Sequence, residues 1–302
     1  MSGLRYLDYF FITRPVLMPP VWTILLLGYQ RSFFYSGQKE NVVWIFVLIF
    51  FLVGSIYILN QIFDKKSDLL NKKLFFLSQG LVKDTHAWLE AILLFALSFI
   101  GAFIISINLG FLFVLGFILG YLYSCPPFFF KNRPLWGFLS NTLGHGSLVF
   151  LIGWQVNSNV GLDPLLFSIP YFLAVGAVYL NTTLPDIQGD REAKKITLGV
   201  KLGVGRAAFV SAFFVFFSLL LALWLKDYHF FFPALLSFPF FVRAALTKRK
   251  KDIILSVKLA VLFLSIVAGS YHLWYFLVLI IGFLGTRFYY RKRFGMTYPS
   301  LT

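Results

Sequence analysis

The chain has 302 residues, 59% of them hydrophobic and only 13% charged, against about 25% charged in an average soluble domain. That composition excludes an ordinary soluble enzyme, and a single cysteine, Cys125, excludes an intrachain disulfide and a cysteine-based metal cluster. A formal charge of +15 would suit nucleic acid, but the placement of the basic residues points elsewhere.

Long apolar runs predict helices at 14–30, 42–63, 86–106, 109–124, 136–154, 165–184, 207–225, 229–246, 253–270 and 272–289. The expected fold class is all-α, a polytopic membrane bundle of nine or ten transmembrane helices, with residues 1–302 forming a single integral-membrane domain. The first apolar stretch does not read as a cleaved signal peptide, because Asp8, Arg14 and three prolines interrupt it. Hydropathy alone leaves open whether the last two segments are two spans or one broken span, although the basic "RKR" at 291–293 favours two.

Alternate connections differ sharply in charge. One set carries only Arg31, Lys39 and Lys226; Lys258 lies inside a helix, and the rest of the 27 basic residues crowd the opposite side. Positive charge in short loops marks the cytoplasmic face, so the N-terminus is expected inside and the charge serves topology and lipid contact. "TKRKK" at 247–251 fits attraction to anionic lipid.

The acids are few, twelve in all, and four of them form two pairs. The second helix ends in "YILNQIFDKKSD", where Asn60, Asp64 and Asp68 recur every four residues and share one helical face. The sixth is followed by "LPDIQGDREAKK", with Asp186 and Asp190 at the same spacing, and Pro185 and Gly189 suggest a helix end or turn there. An offset of 122 residues takes Asp64 to Asp186, Asp68 to Asp190, and Lys72 and Lys73 to Lys194 and Lys195. Both pairs fall on the basic side. Carboxylate oxygens suit hard cations such as Mg²⁺, which bind through one or two carboxylates together with substrate phosphates. A diphosphate between two such clusters would balance the charge, and neighbouring Lys and Arg could hold its free oxygens. Ordinary solvated loop acids are the bland alternative, and matched pairs at equivalent places argue against it.

Within the fifth helix, "NTLGHGSL" places Asn141 and His145 at membrane depth. Polar side chains there usually face the bundle interior, and an interhelical hydrogen bond is the expectation for each, with an acceptor contact or general-base role for His145 as the alternative.

Taken together these motifs resemble the UbiA superfamily of intramembrane prenyltransferases. Its Asn-x-x-x-Asp-x-x-x-Asp motif stands here as Asn60, Asp64 and Asp68, its Asp-x-x-x-Asp motif as Asp186 and Asp190, and its Tyr-Ser-x-Pro-Pro segment with a following base as "YSCPPFFFKN" at 123–132. Two departures stand out: Gln61 where many members carry an acid, and "KLFFLSQG" at 73–80 where many carry Arg-Pro-Leu-Pro-Ser-Gly. The family usually has nine spans. The resemblance implies Mg²⁺ held by Asn60, Asp64, Asp186 and Asp190, with Asp68 completing the ligand set or orienting a basic partner. It implies that Lys131, with Arg191, Lys194 or Lys195, stabilises the departing diphosphate of an allylic prenyl donor. Tyr123 is either a cavity residue or part of an interfacial belt. The implied partners are a prenyl diphosphate, a small-molecule or lipid acceptor, and membrane lipid, with no nucleic acid and no obligate protein partner. An aromatic ring of lipoquinone synthesis is the first choice of acceptor, ahead of porphyrin-type, glycerol-phosphate and sugar-phosphate groups. The rival from another class is a cation-coupled transporter, which the position of the acids at helix ends rather than mid-membrane disfavours.

Overall fold

The computed structural model describes residues 3–70, 75–192 and 195–299. Among these, ten helices are long and apolar enough to cross a membrane, one more than the family's usual nine. From the N-terminus they are α1 (Met18–Ser36), α2 (Val43–Leu70), α3 (Asp84–Ile105), α4 (Ile107–Ser124), α5 (Pro134–Trp154), α6 (Leu162–Thr183), α7 (Leu198–Trp224), α8 (Tyr228–Thr247), α9 (Lys250–Tyr271) and α10 (Leu273–Phe294). No strand occurs among the described residues.

The predicted helices all form, but several run beyond their apolar stretches. The second reaches Leu70 rather than residue 63, so the whole Asn60–Asp68 motif is helical. The seventh starts at Leu198 rather than 207, with a break at Gly203, whose φ of 74° and ψ of 165° suit glycine alone. Hydropathy marks where the chain meets hydrocarbon. A helix can continue past that point because its hydrogen bonds are internal. Ahead of α1, a short helix at Leu7–Ile12 and a 3-10 turn at Pro15–Leu17 lie at the charged end.

The last two helices are separate spans. The end of α10 returns to the start of the chain, where Phe11 stacks on Tyr289 with ring centroids 3.7 Å apart and Arg293 Nη2 donates to Asp8 Oδ2 at 2.9 Å. At the other end of the bundle the short connections meet: Arg31 Nη2 donates to the Leu225 carbonyl, and the Asn157 side chain joins the Tyr29 carbonyl to the Glu40 amide.

One continuous core cluster draws side chains from all ten helices, including Leu25, Ile49, Ala102, Phe113, Phe150, Tyr171, Leu219, Phe230, Ala268 and Tyr275. Small residues set the tightest contacts, as expected where helices cannot gain by hiding apolar surface from lipid. A Cβ on Gly153 would run into the Leu25 carbonyl, and one on Gly28 into the Phe150 carbonyl, so α1 and α5 touch backbone to backbone. Large apolar side chains such as Leu89, Ile92, Ile100 and Ile104 on α3 stay exposed, the arrangement that a lipid solvent favours.

Candidate active site

All the motif acids lie at the charged end of the bundle, and each is placed by a different local device. On α2, Asn60, Asp64 and Asp68 occupy the last turns of an uninterrupted helix. Carboxylates are disfavoured at a helix C-terminus, where the backbone dipole is already negative, so their presence calls for a positive partner. Lys131 supplies one. It sits in a 3-10 turn, Phe130–Asn132, that follows Phe129 in a left-handed conformation. The lysine is 2% exposed, and its Nζ lies 2.8 Å from Asp64 Oδ1. Burial pushes the Lys131 ammonium down from its usual range, and the Asp64 charge opposes that shift.

Asp68 is also buried and has no ion pair among the described residues. Burial first, then the neighbouring Asp64 charge, push its carboxyl up to about 7, against the opposing pull of Arg14, Lys131 and Lys195.

The second pair is built differently. Pro185 turns α6 into a 3-10 segment, Leu184–Asp186, which Asp186 ends; a short helix, Ile187–Glu192, then carries Asp190. The two pairs share spacing in sequence but not local structure. Thr197 Oγ1 donates to Asp190 Oδ2 at 3.4 Å, and Lys195 Nζ approaches Asp190 Oδ1 at 4.0 Å. Arg191 is exposed and makes no ion pair among the described residues. Lys194 and the first part of the 73–80 segment lie outside the described residues.

Tyr123, at the end of α4, ties the halves together. Its hydroxyl lies beside that of Tyr179 on α6 and close enough to both Asp64 and Asp190 to feel their charge. It belongs to the interior and not to an interfacial belt: with Asn60 and Asp186 it lines a cavity of about 470 Å³. The same cavity continues over Ile49, Leu52, Val53 and Ile152, so one end is polar and anion-binding and the other is apolar.

Motif reading missed Arg14, Tyr57 and Tyr179, which line this cavity as well. Arg14 has a left-handed φ of 57° and places its guanidinium 5.5 Å from the Tyr57 ring centroid. A signal existed for the tyrosines. Tyr57 precedes Asn60 and Asp64 by three and seven residues, and Tyr179 with Thr182, Thr183 and Asp186 forms the same helical stripe.

Gln61 makes a structural contact of its own. It is 1% exposed, and its Nε2 donates to the Ile12 carbonyl at 2.7 Å and to the Tyr57 carbonyl at 3.0 Å, fastening α2 to the N-terminal segment. The interhelical hydrogen bonds expected for Asn141 and His145 are not formed: neither side chain has a protein partner among the described residues, and both face cavities. A π-helical stretch, Thr142–Leu148, carries His145 and sets its direction in a way that ideal α-periodicity does not foresee.

The donor set fits Mg²⁺ shared with a phosphate. Every candidate ligand is a carboxylate or amide oxygen, and no group of three acidic, His or Cys side chains among the described residues closes on one point. A cation held by one or two carboxylates and completed by phosphate oxygens suits Mg²⁺ better than an all-protein cage would.

The model of the UbiA prenyltransferase family matches residues 16–253. Over 181 residues the chain is 34% identical to the probable homogentisate phytyltransferase 2 of Oryza sativa subsp. japonica, a stretch covering 55% of this chain and 46% of that protein. Over 170 residues it is 30% identical to the digeranylgeranylglyceryl phosphate synthase of Methanosarcina mazei, covering 55% of this chain and 57% of that one. The chain spans about half the length of the curated relatives it matches. A UbiA homolog from Archaeoglobus fulgidus, solved bound to GPP and Mg²⁺, superposes with a TM-score of 0.63 at 20% identity, over 87% of this chain and 98% of that one. At that identity the likeness establishes the fold.

Proposed function

This chain belongs to the UbiA prenyltransferase family, and we propose that it transfers a prenyl group from an allylic prenyl diphosphate to an aromatic ring of lipoquinone biosynthesis, releasing diphosphate. One observation carries the reading. Asp64 paired to a buried Lys131, Asp190 beside Lys195, and Asp186 gather around Tyr123 at the mouth of a cavity whose far end is apolar. An amphiphile with a diphosphate head and a hydrocarbon tail matches both ends.

Asn60, Asp64, Asp186 and Asp190 would hold Mg²⁺, with Asp68 behind them; bound there, the metal would neutralise the diphosphate and make it a better leaving group. Lys131 and Lys195 donate to its oxygens as the allylic C–O bond breaks and the electron pair leaves with the diphosphate. Tyr57, Tyr123 and Tyr179 line the same cavity, and their aromatic rings would stabilise the allylic cation. A ring carbon of the acceptor then bonds to the cation and loses its proton. The relative from rice is named for homogentisate, an aromatic acceptor, which supports the ring over the glycerol phosphate named for the archaeal relative. The asymmetry of basic loops supports a site on the cytoplasmic face.

The test is turnover by the purified protein with labelled prenyl diphosphates of several lengths, Mg²⁺ and a panel of acceptors, the products being identified by mass. Asp64→Ala and Asp186→Ala should each abolish diphosphate release. Metal-driven ion flux in liposomes with no prenyl transfer would replace this reading with the transporter.

A further inference from the structure

Asn141 and His145 have no task in the chemistry above. They stand four residues apart on α5, His145 within the π-helical stretch. Neither has a hydrogen-bond partner among the described residues. Each is only partly buried, so its polar atoms open onto cavity space and are free to bind whatever occupies it.

Their surroundings indicate what that is. Both line the large cavity and also a second one of about 240 Å³. Tyr57, Tyr179 and Thr182 border both cavities too, so the two chambers adjoin at a shared polar wall. Beyond the wall, the second chamber is lined by Val175, Val215, Ala234, Phe241 and Val261 with the hydroxyls of Thr23, Ser218 and Ser237, and no charged side chain is among its lining residues. The prenyl tail already has the apolar end of the large cavity, continuous with Asn60 and Asp186, and a hydrocarbon could not satisfy an amide or an imidazole.

We infer, on the footing of the prenyl-transfer reading, that the second chamber is the acceptor subsite, where Asn141 and His145 hold the hydroxyl or carbonyl of an aromatic ring. A mostly apolar pocket with a few polar groups is the usual form of a small-molecule site. The chamber's lining carries no charge, so a carboxylate on the ring would point back across the shared wall toward the basic residues of the donor site. The ring therefore enters with its phenolic side inward and its reacting edge at the wall it shares with the donor.

The experiment uses the full chain in nanodiscs, with methylhydroquinone as probe and its dimethyl ether as the control lacking donors. Equilibrium dialysis against empty nanodiscs should show saturable binding of the quinol and at least tenfold weaker binding of the ether. His145→Phe and Asn141→Leu should each weaken quinol binding and raise its KM in transfer about tenfold or more, and His145→Gln should recover part of the loss. Ala234→Phe, on the far wall, should fill the chamber and have the same effect on the quinol while leaving prenyl chain-length preference as it was. Quinol binding that is absent, or within twofold of native in all these variants, overturns the subsite. So does an Ala234→Phe protein that changes only chain-length preference, which would assign the chamber to the tail. Dialysis needs no turnover, so saturable quinol binding with no prenyl transfer would uphold the subsite and strike the transfer reading alone.

Discussion

Replacing Lys131 by methionine removes the positive charge that directly contacts Asp64, while keeping most of the side-chain volume. At 2.8 Å and an effective dielectric of about 20, the pair attracts by about 6 kcal/mol. Desolvation of the buried Lys131 offsets much of this, and removing it leaves Asp64, 22% exposed, without its cation, at a cost of up to about 3 kcal/mol, the low end of the range for a fully buried pair. Lys131→Met should therefore lower the melting temperature in detergent, and the double variant with Asp64→Asn should lower it less than Lys131→Met alone. In the proposed reaction the same ammonium would make a charge-assisted hydrogen bond to the leaving diphosphate, worth about 1.5–3 kcal/mol, so its removal should cost roughly 10- to 150-fold in kcat/KM for the prenyl donor. Lys131→Arg, which keeps the charge, should retain more of both. The assay is diphosphate release from labelled geranyl diphosphate, run beside thermal unfolding. A Lys131→Met protein within threefold of native kcat/KM at an unchanged melting temperature would refute the pairing and its role together.

Three further outcomes are expected. Gly153→Ala drives a methyl into the Leu25 carbonyl and should cost about 1–3 kcal/mol of stability; an unchanged unfolding temperature would show that α1 and α5 do not meet as described. His272, buried between α9 and α10, has its imidazole pushed down to about 4 from an ordinary 6.5 by burial and by Lys39. The unfolded chain then binds the proton first, so its contribution is complete above about pH 6.5 and is lost as pH falls toward 4, about 3 kcal/mol in all; His272→Gln should flatten that part of the melting profile. Chelation should stop diphosphate release and added Mg²⁺ should restore it, whereas release that persists in chelator would remove the metal from the reaction.

Much of the fold was legible because lipid imposes a simple rule: a span must be helical and apolar, and both features are local. The break between α9 and α10 was less legible, since His272 interrupts the helix with backbone angles that no hydropathy window reads. At the site, Asp64, Asp68, Asp186 and Asp190 could be found because acids are rare in this chain and theirs recur at a fixed spacing. The matching of the two pairs was only partly informative, for one lies on a straight helix and the other on a turn broken by Pro185. Arg14 escaped notice because its place depends on a left-handed residue folding the N-terminal segment back over Tyr57.

Composition and spacing along single elements were enough to establish the membrane, the helices, the charged face and the residue types fit to hold a metal and a diphosphate. They could not say which bases meet which acids, that Gln61 fastens α2 to the N-terminal segment, or that Asn141 and His145 are left without partners beside a second chamber. Those outcomes depend on contacts between helices distant in sequence, and on a π-helical stretch that re-aims a side chain, and neither is encoded in the period of a single helix.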